Sequence, residues 1–174
     1  MMSSVQPGRR IVRADLAGTA VFSASAAAGS LTDAWQTGSI VVSLVLFGLG
    51  IFAFIWSFFS AAERSRTDEI GVANLYLLTG RTAPRPVKRA MSAALAVQVI
   101  VGIGTAAAGF SGLEPDEFNP MAFGILVPMF GMGLNGLWAS RHGSFGPRIV
   151  RVPAPPSGEV APPDHEMEQN APHG

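Results

Sequence analysis

The sequence predicts an all-α integral membrane protein, a bundle of four transmembrane helices. Three observations predict it. Charged residues make up 14% of the 174-residue chain and hydrophobic residues 48%, against about 25% charged in an ordinary soluble domain. Three uncharged runs each exceed the roughly 20 residues that a helix needs to cross about 30 Å of hydrocarbon. All twelve Lys and Arg fall into three clusters that four crossings, and not three, bring to one side.

The uncharged runs lie between Asp33 and Glu63, from Ala90 to Leu113, and from Phe118 to Ser140. Lipid offers the backbone no hydrogen-bond partners, so spanning segments of this length are helical. A fourth run, Leu16 to Thr32, has seventeen residues rich in Ala, Ser and Gly, and its hydropathy alone does not decide it. Charge does. The clusters are Arg9, Arg10, Arg13; then Arg64, Arg66, Arg81, Arg85, Lys88, Arg89; then Arg141, Arg148, Arg151. Lys and Arg concentrate in cytoplasmic loops. Four spans place every one of them there, and leave outside only the loops around Asp33 and at Glu114, Asp116 and Glu117.

The expected organisation is a basic cytoplasmic N-terminus 1–15 and a transmembrane bundle 16–140, with a cytoplasmic tail 141–174. The spans fall at about 16–32, 38–60, 90–111 and 119–140, with a cytoplasmic loop 61–89. This is a multi-pass protein of the plasma (inner) membrane with both termini inside. The alternative is three spans after cleavage of a signal peptide. Small residues at Ser23-Ala24-Ser25 and Ala26-Ala27-Ala28 suit a signal peptidase, and Arg9-Arg10 resembles a twin-arginine start with poorly matching flanks.

Trp35, Trp56 and Trp138 fall near the proposed membrane boundaries, where amphipathic rings anchor. In the central loop, Ser65-x-x-Asp68 has the form of a capping box. It opens a short helical pattern through Ile70, Ala73 and Leu77 that Gly80 ends, expected to lie on the membrane surface. Pro84 and Pro86 favour an extended link into the third span. The tail from Pro153 has little to bury and is expected to be disordered.

The three long spans hold no ionisable residue, which argues against a proton relay or an intramembrane metal enzyme. With no cysteine, thiolate sites are excluded. His142, His165 and His173 lack ligand spacing, and no nucleophile is accompanied by a base and an orienting acid. No metal, no cofactor and no enzymatic activity are expected, and the zero net charge predicts no nucleic-acid partner. The residues singled out are candidates for partner contact. Gln98 and Asn135 seek hydrogen bonds on other helices, within the bundle or beyond it. Ala90, Ala94, Gly102 and Ala106 form a small-residue stripe for close helix approach. Pro128, between Gly124 and Gly131, is expected to kink the fourth span. Arg64, Arg66, Asp68 and Glu69 crowd the inner end of the second span, as a solvated helix start or a docking surface.

Three stretches, Glu63–Gly71 (ERSRTDEIG), Leu78–Arg89 (LTGRTAPRPVKR) and Leu126–Arg148 (LVPMFGMGLNGLWASRHGSFGPR), resemble a family of small actinobacterial multi-pass membrane proteins. Within it, the chain is similar to the lipid-uptake-coordinator type of accessory subunit that accompanies the mycobacterial Mce lipid importer. The resemblance covers about residues 35–148. It implies a noncatalytic subunit beside the importer's permease helices, with membrane lipids and integral membrane subunits as partners. It carries over no active site. A stand-alone, oligomeric carrier or channel lined by Gln98 and Asn135 is the alternative.

Overall fold

The computed structural model describes residues 8–110 and 119–148. Most of them are helical: α1 Arg9–Leu31, α2 Gln36–Arg64, α3 Val72–Tyr76, α4 Arg85–Phe110 and α5 Pro128–His142, with 3-10 helices at Asp33–Trp35 and Pro120–Leu126. Three stretches are long and apolar enough to cross a membrane: Asp33–Arg64, Arg85–Phe110 and Pro120–His142. α1 is poorer in large apolar residues and does not join them. Its 23 residues nonetheless reach about 35 Å, and it packs on α2, α4 and α5.

Side-by-side contacts give the directions. Gly8 lies against Trp138 and His142, Gly18 against Phe130, and Gly29 against Met121, so α1 runs antiparallel to the last span. Gly50 meets Phe130, Ala53 meets Gly133, and Ser57 meets Gly136, so α2 and α5 run parallel. Gln98 meets Gly131, Gly102 meets Gly124, and Gly109 meets Asn119, so α4 is antiparallel to both. This up-down arrangement gathers every Lys and Arg of the described residues at one end, on the start of α1, the end of α2, the α2–α4 connection, the start of α4, and the last turn of α5 and just beyond it.

The last span is the central column. Its glycines face different neighbours: Gly131 meets Gln98 of α4, Gly133 meets the Gly50 backbone of α2, and Gly136 meets Ser57 and the Tyr76 ring. A Cβ at Gly50 would sit 2.5 Å from the Phe130 nitrogen, and one at Gly102 would sit 2.6 Å from the Gly124 carbonyl oxygen. Backbone therefore lies against backbone on two sides of the column. Buried Phe22, Met91, Val127 and Leu134 fill the rest of the core. The outer faces carry Phe52, Ile55, Phe59, Ile100 and Ile103, all exposed.

Several expectations are corrected. Ser65 does not open a helix. Its hydroxyl donates to the Ala62 carbonyl at the end of α2, and Asp68 and Glu69 form a two-residue strand, β1, antiparallel to β2 Gly146–Pro147. The apolar run of α2 continues to Arg64, so the chain is leaving a helix where the capping pattern suggested entry. α3 begins only at Val72, and its Leu75 and Tyr76 are buried against the bundle. Pro86 sits in the first turn of α4, where a missing N–H costs nothing, so the link before it is shorter than expected. Pro128 does not kink a continuous helix. It opens α5 after the 3-10 helix, and the two pieces together span about 36 Å. Trp35 and Trp56 are exposed, but Trp138 is fully buried behind Gly8 and is no lipid-facing anchor. The acidic loop at Glu114, Asp116 and Glu117, His165, His173 and the tail lie outside the described residues.

Two glycines on α2 test this packing. Gly50→Ala forces backbone apart and should destabilise the folded chain by about 1–3 kcal/mol. Gly48→Ala meets nothing within 4 Å and should be neutral or stabilising by up to about 1 kcal/mol. Thermal unfolding midpoints in detergent read both, and equal midpoints for the pair would refute the close α2–α5 approach.

Candidate functional site

Two groups of polar side chains stand out, one inside the bundle and one at its basic end. The inner group is a seam joining α1, α4 and α5. The buried residues of α1 are Asp15, Thr19, Phe22, Ala26 and Gly29, a three-and-four spacing that forms one face. That face brings Asp15 and Thr19 to Gln98 on α4. The Gln98 side-chain amide donates to Thr19 Oγ1 at 2.7 Å and to Asp15 Oδ1 at 3.3 Å. The Thr19 hydroxyl donates to the Asp15 carbonyl at 2.8 Å. On its other side, Gln98 Oε1 accepts from the Gly131 N–H at 3.1 Å. Gly131 lies in the first turn of α5, where N–H groups run short of intrahelical partners. Gln98 thus ties three helices together, and both it and Asp15 are fully buried.

A second link lies one turn along α5. Asn135 Nδ2 donates to the Tyr76 carbonyl at 2.9 Å, the Tyr76 hydroxyl donates to the Phe54 carbonyl at 3.1 Å, and the Tyr76 and Phe54 rings stack 4.0 Å apart. Burial pushes the Tyr76 phenol above its ordinary value. Asp15 Oδ2, Asn135 Oδ1 and Trp138 Nε1 are buried and make no hydrogen bond to the described residues.

At the basic end, Arg64 closes the bundle. Its guanidinium donates to the Ser140 carbonyl at 2.9 Å, to Asp68 Oδ2 at 3.0 Å and to the Gly143 carbonyl at 3.4 Å, and lies 5.2 Å from the Phe145 ring centre. Ser140 and Gly143 end α5, so the cation sits where the helix dipole is negative and carbonyls lack partners. The β1–β2 pair reinforces the closure, with the Arg148 N–H donating to the Thr67 carbonyl and its guanidinium to the Ser65 carbonyl, each at 3.0 Å. Nearby, Leu78 is buried in the left-handed region at φ 52°, a conformation that costs a non-glycine residue about 1–2 kcal/mol.

The candidates therefore divide. Arg64 and Asp68 meet each other and hold the chain's own loop, while Arg66 and Glu69 are exposed. Gln98, Gly102 and Asn135 are all inside, matched by partners in the same chain. The small-residue stripe is buried at Ala94, Gly102 and Ala106, while Ala90 is half-buried. Among the described residues no His, Asp and Glu gather to hold a metal. Asp15, Thr19 and Tyr76 were not singled out by the sequence. The heptad-like spacing from Asp15 to Gly29 was the available signal for the first two; nothing local marks Tyr76. No family model, curated protein or solved structure matches the chain.

The seam predicts a non-additive response. Gln98→Leu leaves the buried Asp15 carboxyl and the Gly131 N–H without their partner, costing about 1–3 kcal/mol or more, whereas removing both sides of a polar contact costs less. Asp15→Leu combined with Gln98→Leu should therefore be closer to wild type than Gln98→Leu alone. A double-mutant cycle on unfolding midpoints checks this, and simple additivity would show that the two side chains do not interact.

Proposed function

We propose that this chain is a four-span protein of the inner membrane, with both termini cytoplasmic, that serves as a noncatalytic accessory subunit of a larger membrane complex. The observation that carries the reading is where its polar and small residues are used. Gln98, Asn135 and Gly102 hold the chain's own helices together, which leaves a self-contained bundle whose outer α2 face presents Phe52, Ile55, Trp56 and Phe59. Such a bundle can pack beside other membrane helices without lending them its interior.

Retention of α1 as a true span is supported by its packing. Cleavage after residues 23–28 would strip Phe22 from the core and take Asp15 and Thr19 from Gln98, exposing a polar seam to lipid. The cytoplasmic placement of the basic end follows the positive-inside rule. The resemblance to lipid-uptake-coordinator subunits makes a Mce-type lipid importer the proposed complex, with its permease helices as neighbours. Asp15, a carboxyl inside the bundle beside Gln98, favours one second reading: a small oligomeric carrier using that seam.

Mild-detergent purification of the tagged chain from its native host separates the two. Stoichiometric recovery of other membrane subunits supports the accessory role; a homogeneous homo-oligomer supports the carrier. Reporter fusions at Pro84 and Gly174 should give cytoplasmic-type activity, and periplasmic-type activity at either position would overturn the topology. Loss of about 25–30 residues in the intact mass would overturn α1 as a retained span. Replacing the exposed Arg66 and Glu69 together by Ala should lower partner recovery while leaving the protein's own abundance unchanged, because exposed charges contribute only about 0–1 kcal/mol to folding. Unchanged recovery would make them solvated surface.

A further inference from the structure

The basic end of the bundle contains a polar hollow of about 510 Å³, lined by Arg81, Thr82, Pro84, Arg85 and Ser144 among others. Its volume falls within the roughly 300–1,000 Å³ of small-ligand sites. We infer that this hollow binds the phosphate-bearing headgroup of an anionic membrane lipid. The inference rests on the membrane reading above.

Four observations converge. Arg81 and Arg85 are exposed, and neither makes an ion pair: the ion pair among the described residues is Arg64–Asp68, outside the hollow. Among the described residues, the acids at this end outside the core, Glu63, Asp68 and Glu69, do not line it. Two guanidinium groups in one polar recess, with no carboxylate among the described residues lining it, are the donor set that phosphate oxygens fit.

The recess is built rather than frayed. Thr82 is buried, its carbonyl accepts from the Ser144 N–H at 3.0 Å, and its hydroxyl donates to the Thr79 carbonyl at 2.8 Å. Thr79 in turn is hydrogen-bonded to Asn74. The two walls, one before α4 and one after α5, are thereby pinned together.

Depth also fits. Arg85 precedes Ala90, where the third span is expected to enter hydrocarbon, by five residues, or about 7–8 Å of helix. The headgroup layer on each side of a bilayer is about 5–8 Å thick. The hollow therefore opens at the level of lipid phosphates. Lys88 and Arg89, on the next turn of α4, add positive charge beside it.

Native mass spectrometry of the full chain in detergent tests the inference, with phosphatidylglycerol and phosphatidylcholine of identical acyl chains as probes. The wild type should retain phosphatidylglycerol preferentially. Arg81→Gln with Arg85→Gln should weaken that binding about 30-fold, from the loss of two interfacial cations. Ser144→Glu, which keeps both arginines and the backbone bond but sets a carboxylate at the rim, should weaken it similarly. Arg10→Gln with Arg13→Gln removes the same charge at the same end outside the hollow, and should change it less than threefold. Equal loss in that control, or no loss in the first two variants, would overturn the site. Displacement of the lipid by millimolar inorganic phosphate would also overturn it, assigning the hollow to free phosphate instead. Carbonate extraction of native membranes reports separately on the membrane reading. A chain that resists extraction yet shows no phosphatidylglycerol preference loses the headgroup site alone; one released by carbonate loses the membrane reading as well.

Discussion

Everything else in this bundle depends on the approach of the last span to its neighbours at backbone distance. Helices in lipid gain nothing from hiding apolar side chains from one another, because the surrounding acyl chains are just as apolar. Association then rests on close van der Waals packing and on hydrogen bonds between helices. The Gly50–Gly133 and Gly102–Gly124 contacts supply the first on two sides of the column, and Gln98 and Asn135 supply the second. The order of dependence runs that way round. Gln98 reaches the Gly131 N–H only because Gly131 has no side chain to hold α4 away, and Asn135 reaches the Tyr76 carbonyl where Gly136 leaves room for the Tyr76 ring beside α5.

The broken last span follows from the same constraint. A Pro in mid-membrane would strand a carbonyl and clash with the preceding turn of a continuous α-helix. Here the 3-10 helix Pro120–Leu126 precedes Pro128, so the proline occupies a helix start, where its fixed φ suits the geometry and its missing N–H is not needed. Asn119 anchors the other end of the 3-10 piece, accepting from the Met121 N–H at 3.0 Å and donating to the Ala106 carbonyl of α4 at 2.9 Å. With Asn119 holding one end and Gln98 the start of α5, the interruption is fastened to α4 at two heights.

How much of this was legible in the sequence depends on range. Three helical stretches long and apolar enough to cross a membrane follow from uncharged length alone, the last of them made of a 3-10 piece and α5. The burial of Ala94, Gly102 and Ala106 follows from their spacing. What failed was reading local pattern where a long-range partner decides. Ser65-x-x-Asp68 has the letters of a helix start, but Arg64, drawn to the carbonyls that end α5 seventy-odd residues later, also holds Asp68 and makes the segment an exit. Trp138 has the position of an interfacial anchor, but Gly8 leaves room for it to sink into the core. Asp15, just before the run Leu16 to Thr32, weighs against that run as a span on sequence grounds alone. It is instead the residue that α4 hydrogen-bonds, and no inspection of α1 by itself shows Gln98 waiting eighty-odd residues away.

That pairing bears on why so weakly apolar a helix is present in the bundle at all. A helix of Ala, Ser and Gly has little to offer hydrocarbon, and its partition into a bilayer as an isolated segment is poor. Its small residues instead let it lie close to α4 and α5, and Thr19 and Asp15 give it polar partners there that water or lipid headgroups would otherwise supply. The arrangement is reciprocal: α1 gains a place in the bundle through Gln98, and Gln98 is relieved of facing lipid through α1. Of the four long segments, α1 is thus the one whose position depends most on tertiary contacts and least on its own hydropathy. A reading by hydropathy alone will always place it last, whereas a reading by partners places it at the centre of the polar seam.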